Sequence, residues 1–269
     1  MVLALVVFPL SLLGQAAASG EKDYDSQIVE ANKRIQANSK DNLAYNKRGN
    51  AYYGKRDYDQ AIKDFTTQIE LETARGYAEE VDLALKSLPY ESRARAYARK
   101  GDYDTAIKEF TAIIEFSPLS SSVYGYRGDA YTNKGNYGLA VADYNQQLEL
   151  RAAMVKEMGE DWGGPTTLAP IYVRRGYAYY RDGKHDLAIA DYSQAIALTP
   201  KSADAFNRRG LTYYAKAEYA HALVDYDTAI ALRPNFANAY SNRGNAYDKL
   251  GEKEKAAADS QKAKELAGK

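Results

Sequence analysis

An arginine followed by a small residue and then by aromatic side chains returns along this chain at a nearly constant spacing. The copies are YNKRGNAYY, YESRARAY, YGYRGDAY, YVRRGYAYY, NRRGLTYY and YSNRGNAY. The small residue after the arginine is, in order, Gly49, Ala94, Gly128, Gly176, Gly210 and Gly244. The spacing is 34 residues in three of the five steps, and the other two steps are longer by 11 and 14 residues. A fixed period of this length predicts a solenoid, in which each repeat packs only on its neighbours.

Each repeat carries two helical patterns. In the copy around Gly210, Phe206 and Tyr213 lie four residues before and three residues after the glycine, on one face of a helix. Ala222 and Tyr226 belong to a second such face, which follows the short turn AKAEY. Proline, which cannot continue a helix interior, follows the second pattern at Pro118, Pro200 and Pro234. We therefore expect each repeat to be a pair of helices joined by a turn.

Columns of equivalent residues predict how the two helices of a pair pack. The glycine column has no Cβ, so the first helix can approach a ring of the second helix closely. The ring positions hold Phe65, Phe110, Tyr144, Tyr192 and Tyr226, with Ser260 in the last copy. Four residues before each ring position stands an alanine, at Ala61, Ala106, Ala140, Ala188, Ala222 and Ala256. These columns favour one close-packed helix pair repeated six times.

The combination of these columns at a period of 34 resembles the tetratricopeptide repeat over residues 42–269, in six units. The resemblance implies an all-α, right-handed α-solenoid of helix-turn-helix repeats whose first helices line a concave groove. It also implies a protein or peptide partner for that groove. The two long steps predict extensions at about residues 72–88 and 152–169. Residues 19–41 align with a second helix, so we expect them to form a capping half repeat.

Charged columns run through the same six copies. The arginines are Arg48, Arg93, Arg127, Arg175, Arg209 and Arg243, and an acid precedes each ring position at Asp64, Glu109, Asp143, Asp191, Asp225 and Asp259. In an antiparallel helix pair the two columns lie at nearly the same level, which predicts six arginine–carboxylate pairs. An arginine bound to a carboxylate is not free for phosphate, and this weakens the interpretation of NRRG as a nucleic-acid patch.

Composition excludes several classes of function. Lys plus Arg and Asp plus Glu number 36 each, so the basic excess typical of nucleic-acid binding is absent. The chain has no cysteine and only two histidines, His185 and His221, which excludes thiol chemistry and disfavours a metal site. The sequence shows no glycine-rich phosphate loop and no serine-centred elbow. We expect no cofactor and no nucleic-acid partner. We also expect no enzymatic activity, and an enzyme ranks third among the hypotheses for the function.

The first 20 residues, MVLALVVFPLSLLGQAAASG, differ in composition from the rest of the chain. Residues 2–13 are apolar apart from Ser11, no charged side chain precedes Glu21, and residues 16–18 are alanines. This pattern predicts a signal peptide over residues 1–18, although no Lys or Arg precedes the apolar run. Export to the bacterial periplasm is then expected, with no stable membrane insertion after cleavage. A buried first helix in a cytoplasmic protein is the alternative.

Tyrosine is unusually frequent, at 25 residues against 6 Phe and 1 Trp. Most tyrosines fill the repeat columns, but Tyr53, Tyr177, Tyr180 and Tyr214 fall on the first-helix face that the resemblance places in the groove. Polar residues complete the predicted groove at Asn46, Asn50, Arg95, Arg99, Asp129, Asn133, Arg181, Asn207 and Asn245. Family members that hold a carboxylate use a lysine that is absent at Asn46, which disfavours that particular clamp.

The second insertion ends in GEDWGGP and holds Trp162, the only tryptophan of the chain. The Gly-Gly-Pro sequence predicts a turn. Trp162 either packs back onto the stack or serves as an exposed anchor for a partner. Gln68 and Gln147 replace the usual alanine before the two insertions, as expected if a two-unit block was copied.

The sequence thus favours a protein- or peptide-binding scaffold or adaptor of the cell envelope. The alternative is a structural component of an envelope complex, held through the inserted edge near Trp162.

Overall fold

The computed structural model describes residues 23–76, 83–159 and 164–268. The described residues form 13 α-helices and one short 3-10 helix, without strands. The predicted all-α helical-repeat solenoid is confirmed. The chain forms two compact units, Met1–Glu79 and Glu80–Lys269. None of the helices in the described ranges has both the length and the apolar composition needed to cross a membrane.

The first unit contains three helices, and α2 packs against both α1 and α3. Aspartates cap all three, because Asp23, Asp41 and Asp57 accept backbone N–H groups of the first helical turns. The bounds are α1 Tyr24–Ala37, α2 Asn42–Gly54 and α3 Tyr58–Arg75.

The second unit contains ten helices in five antiparallel pairs. The bounds are α4 Leu83–Lys100, α5 Tyr103–Phe116, α6 Ser121–Lys134, α7 Tyr137–Met158, α8 Ala169–Arg181, α9 His185–Leu198, α10 Ala203–Ala215, α11 Tyr219–Leu232, α12 Ala237–Lys249 and α13 Lys253–Ala267, with the 3-10 helix Pro165–Leu168 before α8. The second helix of each pair contacts the first helix of the next pair. The first helices α4, α6, α8, α10 and α12 also contact one another in succession and form one layer.

The insertions lengthen particular helices. Helices α5, α9 and α11 have 14 residues each, whereas α3 has 18 and α7 has 22. Helix α4, which follows the first insertion, has 18 residues and contains Pro89. Residues 77–82 and 160–163, in the middle of the two predicted extensions, lie outside the described ranges. In the described parts, the extra residues therefore extend regular helices.

The glycine column allows the predicted close approach. An added Cβ at Gly210 would lie 2.8 Å from Cε1 of Tyr226, so no other residue fits without displacing the ring. Tyr226 and the four other rings of its column are almost completely buried. The alanine column is buried as well. Small residues in one helix therefore accommodate large rings of the next helix in five repeats, and Ser260 takes the place of the ring in the sixth.

All six predicted arginine–carboxylate pairs form. The guanidinium of Arg209 is bidentate on Asp225, with Nε donating to Oδ2 at 2.9 Å and Nη2 donating to Oδ1 at 2.7 Å. The carboxylate side chain of Asp225 is only 3% exposed. The other five pairs are Arg48–Asp64, Arg93–Glu109, Arg127–Asp143, Arg175–Asp191 and Arg243–Asp259. These charges are structural and hold each helix pair together.

The arginines also make contacts that the sequence did not predict. Arg209 Nη1 donates to Oγ of Ser193 at 3.0 Å, and Ser193 belongs to the second helix of the preceding pair. Asn32, Thr111, Asn145 and Asp227 accept in the same way from Arg48, Arg127, Arg175 and Arg243. Each of the six guanidinium groups lies 5.4–5.7 Å from the aromatic ring three residues earlier. Each of the five arginines that make these hydrogen bonds therefore joins three helices: its own, the second helix of its pair and the second helix that precedes them.

Candidate functional site

The predicted groove residues of the first unit bind mainly to one another. Asn46 donates from Nδ2 to Oε1 of Gln68 at 3.0 Å, and Asn50 donates to Oδ1 of Asn46 at 3.1 Å. Gln68 is buried and donates in turn to Glu72. Tyr53 lies edge-on to Tyr58 at 5.7 Å between ring centroids. Gln68 thus has a structural role, because it fixes Asn46 between α2 and α3.

In the first pairs of the second unit, Arg95 and Arg99 lie on α4, while Asp129 and Asn133 lie one turn apart on α6. The guanidinium of Arg95 lies 4.9 Å from the ring centroid of Tyr126, while Arg99 is exposed at the end of α4. Asn133 is also exposed and donates to the backbone carbonyl of Asp129 at 2.8 Å.

Asp129 is bound by its own protein. Its Oδ1 accepts the hydroxyl proton of Tyr144 at 2.7 Å, and its Oδ2 accepts Nη1 of Arg174 at 3.2 Å. Arg174 also donates from Nη2 to Oε1 of the buried Gln147 at 3.3 Å. Burial, and next the charge of Asp129, raise the pKa of the Tyr144 phenol well above its usual range. We call Asp129, Tyr144, Gln147 and Arg174 the Asp129 cluster, and its polar groups are satisfied internally.

Gln147 fits because the neighbouring helix has a glycine. A Cβ at Gly125 would lie 2.5 Å from Nε2 of Gln147. Asn46 occupies the equivalent position of the first unit, where it bonds to Gln68 instead. The two glutamines that precede the insertions are therefore used differently, although both are buried between helices.

The surplus tyrosines of α8 stack on each other, and Tyr177 contacts two arginines. The rings of Tyr177 and Tyr180 stack at 6.5 Å between centroids, and Arg181 Nη1 donates to the Tyr177 hydroxyl at 2.9 Å. Arg208, on α10, lies 5.3 Å from the centroid of the Tyr177 ring. Burial raises the pKa of the Tyr192 phenol, and Arg208 opposes that rise.

A buried phenol completes this group. Tyr226 is fully buried, and its hydroxyl has no hydrogen-bond partner among the described residues. Burial raises its pKa, and the neighbouring phenols of Tyr214 and Tyr180 raise it further. Tyr214 also packs against the apolar cluster that contains Tyr226. We call Tyr177, Tyr180, Tyr192, Arg208, Tyr214 and Tyr226 the tyrosine cluster. It contains four residues of the first helices α8 and α10 together with the buried tyrosines Tyr192 and Tyr226.

The remaining predicted site residues lie outside this cluster. Asn207 accepts Nδ2 of Asn242 at 3.0 Å and so links α10 to α12. Asn245 is exposed on α12. Trp162 lies outside the residues that the structure describes, whereas the end of the predicted turn is described: Gly164 has a positive φ and Pro165 begins the 3-10 helix.

Two cluster members, Arg174 and Arg208, were missed in the sequence. Both directly precede a column arginine, and the six residues at that position are Lys47, Ser92, Tyr126, Arg174, Arg208 and Asn242. A variable position beside constant columns was the available signal, since packing requirements that are shared by all repeats would have kept it constant. Tyr192 and Tyr226 gave no such signal, because their rings fill a core column.

The described residues contain no group of His, Asp and Glu side chains arranged to hold a metal ion. The tyrosine cluster instead offers aromatic faces, phenol hydroxyls and one guanidinium. Such a set suits contacts to a polypeptide or another polar organic surface.

Several solved structures share this fold. A tetratricopeptide repeat protein from Parabacteroides merdae aligns with a TM-score of 0.66 and 19% identity, covering 91% of this chain and 87% of that chain. The protein MamA aligns with a TM-score of 0.54 and 26% identity over 65% of this chain and 94% of that chain. YrrB, described as a TPR protein with an unusual peptide-binding site, aligns with a TM-score of 0.53 and 20% identity over 78% and 95% of the two chains.

Family models give the same assignment from sequence. A model described as TPR repeat matches residues 176–217 and 210–251. A second model, described as tetratricopeptide repeat, matches residues 92–154. A third model with the same description matches residues 43–74 and 237–269. No curated protein matches the chain. With its 34-residue columns, paired helices and these matches, the chain belongs to the tetratricopeptide repeat family.

Proposed function

We propose that this protein is a scaffold of the cell envelope that binds a segment of a partner protein on the first-helix layer of its second unit, at the tyrosine cluster. The observation that carries the proposal is the stacked, half-buried pair of Tyr177 and Tyr180 with the half-buried guanidinium of Arg208 5.3 Å from the Tyr177 ring centroid. A bound segment could cover these partly exposed rings and this cation, whereas the protein itself buries the Tyr226 hydroxyl.

The chemistry of the cluster supports a polypeptide ligand. Tyrosine rings offer apolar area together with a polar tip, and Arg208 adds a cation that lies over the Tyr177 ring. Tyrosine and arginine are the residue types that most often dominate interface energies. Peptide binding by YrrB, which shares the fold, agrees with this use of the repeat stack.

A location in the envelope is the second part of the proposal, and the apolar residues 1–13 followed by alanines at 16–18 support it. Mass spectrometry of the protein isolated from its native cells tests it. We expect a mature N-terminus near Ser19 in the exported fraction. An intact Met1 on a cytosolic protein would contradict export without affecting the proposal for the tyrosine cluster.

A second binding surface is favoured by the length of α7, whose 22 residues exceed the 14 of other second helices. The extension leads towards the segment that contains Trp162. In this alternative, the protein is a structural component of an envelope complex and the inserted edge is its contact.

Four variants separate the two surfaces. We expect Tyr180→Ala to weaken a partner captured from an envelope extract by about 30-fold, which corresponds to a hot spot of about 2 kcal/mol. Tyr214→Ala should also weaken binding, although Tyr214 packs on the core and Tyr180→Ala is the cleaner test. The alternative instead predicts that Trp162→Ala abolishes binding.

Tyr213→Ala is the control for folding. Tyr213 packs against the same buried cluster and contacts the His221 ring at 5.2 Å between centroids, so its loss should lower the melting temperature. Unchanged affinity in both Tyr180→Ala and Tyr214→Ala would end the proposal for the tyrosine cluster.

A further inference from the structure

The Asp129 cluster shows how these repeats hold a carboxylate. Asp129 lies between two donors, the Tyr144 hydroxyl at 2.7 Å and the Arg174 guanidinium at 3.2 Å. The tyrosine comes from the ring column of the same helix pair, and the arginine comes from the first helix of the next pair. Such charge-assisted hydrogen bonds are about twice as strong as neutral ones.

The next repeat keeps both donors and loses the carboxylate. Tyr192 takes the place of Tyr144 in the ring column, and Arg208 takes the place of Arg174 before the column arginine. The residue after the column glycine, which is Asp129 in one repeat, is Tyr177 in the other. Arg208 instead lies 5.3 Å from the centroid of the Tyr177 ring.

The cation at this position is without a counter-charge. Arg208 is half-buried, and it takes part in none of the ion pairs found among residues 23–76, 83–159 and 164–268. Arg174, its equivalent, is paired with Asp129 at 3.2 Å. A half-buried guanidinium without a carboxylate is poised to accept one from outside.

The following repeat has no cation at the position equivalent to Arg208. In the following repeat the two variable positions hold Leu211 and Asn242, and Tyr226 is left with an unpartnered hydroxyl. The half-buried ring of Tyr177 and the guanidinium of Arg208 are therefore the groups of this site that a ligand can reach.

We propose that the tyrosine cluster binds an acidic side chain, an Asp or Glu within the bound segment, in the position that corresponds to Asp129 of the preceding repeat. Arg208 donates to this carboxylate, and the half-buried ring of Tyr177 lies beside it. The inference rests on the proposed function and names the chemistry that this site selects. A single guanidinium matches a carboxylate, whereas recognition of phosphorylated motifs usually relies on clusters of arginines.

A random-peptide display library, selected on the full chain and on its Arg208→Gln variant, provides the first test. Glutamine keeps a polar, hydrogen-bonding side chain at this position but carries no charge. We expect the parent to enrich peptides with an invariant Asp or Glu, and the variant to enrich peptides without that preference. Enrichment by the parent with no acidic position would overturn the inference and leave the proposed function standing. Failure of both proteins to enrich any peptide would overturn the two together.

Synthetic peptides then identify the source of the carboxylate. For the best peptide, replacing its acid by Asn or Gln should weaken binding about tenfold or more, and amidating its C-terminus should have little effect. The reverse result would assign the site to a chain terminus and contradict the proposal. A phosphoserine peptide that binds about tenfold more tightly than its acidic counterpart would contradict it too, in favour of phosphate.

A substitution within the site tests the comparison with Asp129 directly. Tyr177→Asp should place an internal carboxylate beside Arg208 and block acidic peptides. Tyr177→Asn, of similar size but uncharged, is the matched control because it removes the same ring. We expect binding of the acidic peptide to be about tenfold weaker in Tyr177→Asp than in Tyr177→Asn. Equal affinities in the two variants would show that only the ring of Tyr177 matters and would overturn the proposal.

Discussion

The Asp129 cluster and the tyrosine cluster are built at equivalent positions of neighbouring repeats, yet one is closed and the other is open. In the first, Asp129 receives both the phenol of Tyr144 and the guanidinium of Arg174. In the second, no carboxylate reaches Arg208, and Tyr226 keeps a buried hydroxyl unpaired among the described residues. The residue after the column glycine differs in each case: Tyr177 in place of Asp129 leaves Arg208 without a carboxylate, and Leu211 gives Tyr226 no acceptor.

The comparison separates two tasks within the repeat. The columns of arginine, glycine, alanine and ring residues are nearly the same in both repeats, and they fix how the helices pack. The positions just before the column arginine and just after the column glycine vary and decide what the inner face can bind. The fold therefore tolerates changes in binding chemistry, because the varying side chains are not those that hold the helices together.

The largest expected effect breaks a column pair. Arg209→Leu leaves the Asp225 carboxylate buried without its bidentate partner, which should destabilise the protein by about 3–5 kcal/mol. Urea unfolding monitored by circular dichroism measures this change. The neighbouring Arg208→Gln is the matched control, since Arg208 belongs to the tyrosine cluster and makes no ion pair in the described ranges. It should cost about 1 kcal/mol or less.

The double variant Arg209→Leu with Asp225→Leu shows whether the loss comes from the unpaired charge. We expect it to recover part of the stability, because the buried carboxylate is removed together with its partner. Equal stabilities of the Arg209→Leu and Arg208→Gln variants would contradict the division between structural columns and variable binding positions.

These structural columns are also what the sequence predicts best. The six arginine–carboxylate pairs and the glycine–ring contacts were expected because each constraint recurs six times at one period. Tyr177, Tyr180 and Tyr214 were singled out as surplus tyrosines, and the structure places all three in the tyrosine cluster. This geometry is compatible with the predicted groove, whose binding role stays a prediction.

The remaining features depend on side-chain directions and on contacts between repeats, which a single sequence does not specify. A phenol ring in a core column reveals nothing about where its hydroxyl points, so Tyr192 and Tyr226 were assigned to packing alone. Asp129 was predicted as a groove residue, but the pairing that neutralises it involves Arg174, 45 residues later in the next helix pair. The third contact that five of the column arginines make, such as Arg209 to Ser193, likewise joins separate repeats.

An effect of intermediate size compares the two phenols. Tyr144→Phe removes a donor from the Asp129 carboxylate and should destabilise the protein by about 1–2 kcal/mol. Tyr226→Phe removes a hydroxyl that has no partner in the described protein, so the free protein should be equally stable or slightly more stable. Thermal melts of the two variants beside the parent measure the difference. A loss of similar size in both would mean that Tyr226 is as well satisfied as Tyr144.

The smallest expected effect concerns the charge that closes the Asp129 cluster. Asp129→Asn keeps an acceptor for Tyr144 but removes the ion pair with Arg174. The side chains of this pair are 32% exposed for Arg174 and 41% exposed for Asp129. Partly exposed pairs contribute little, so we expect a loss of about 0.5 kcal/mol at low ionic strength. Salt screens such pairs, and the difference from the parent should therefore disappear in urea titrations at about 1 M salt. A loss that persists at high salt would assign the effect to hydrogen-bond geometry, and the charge of Asp129 would then not be what distinguishes the closed repeat from the open one.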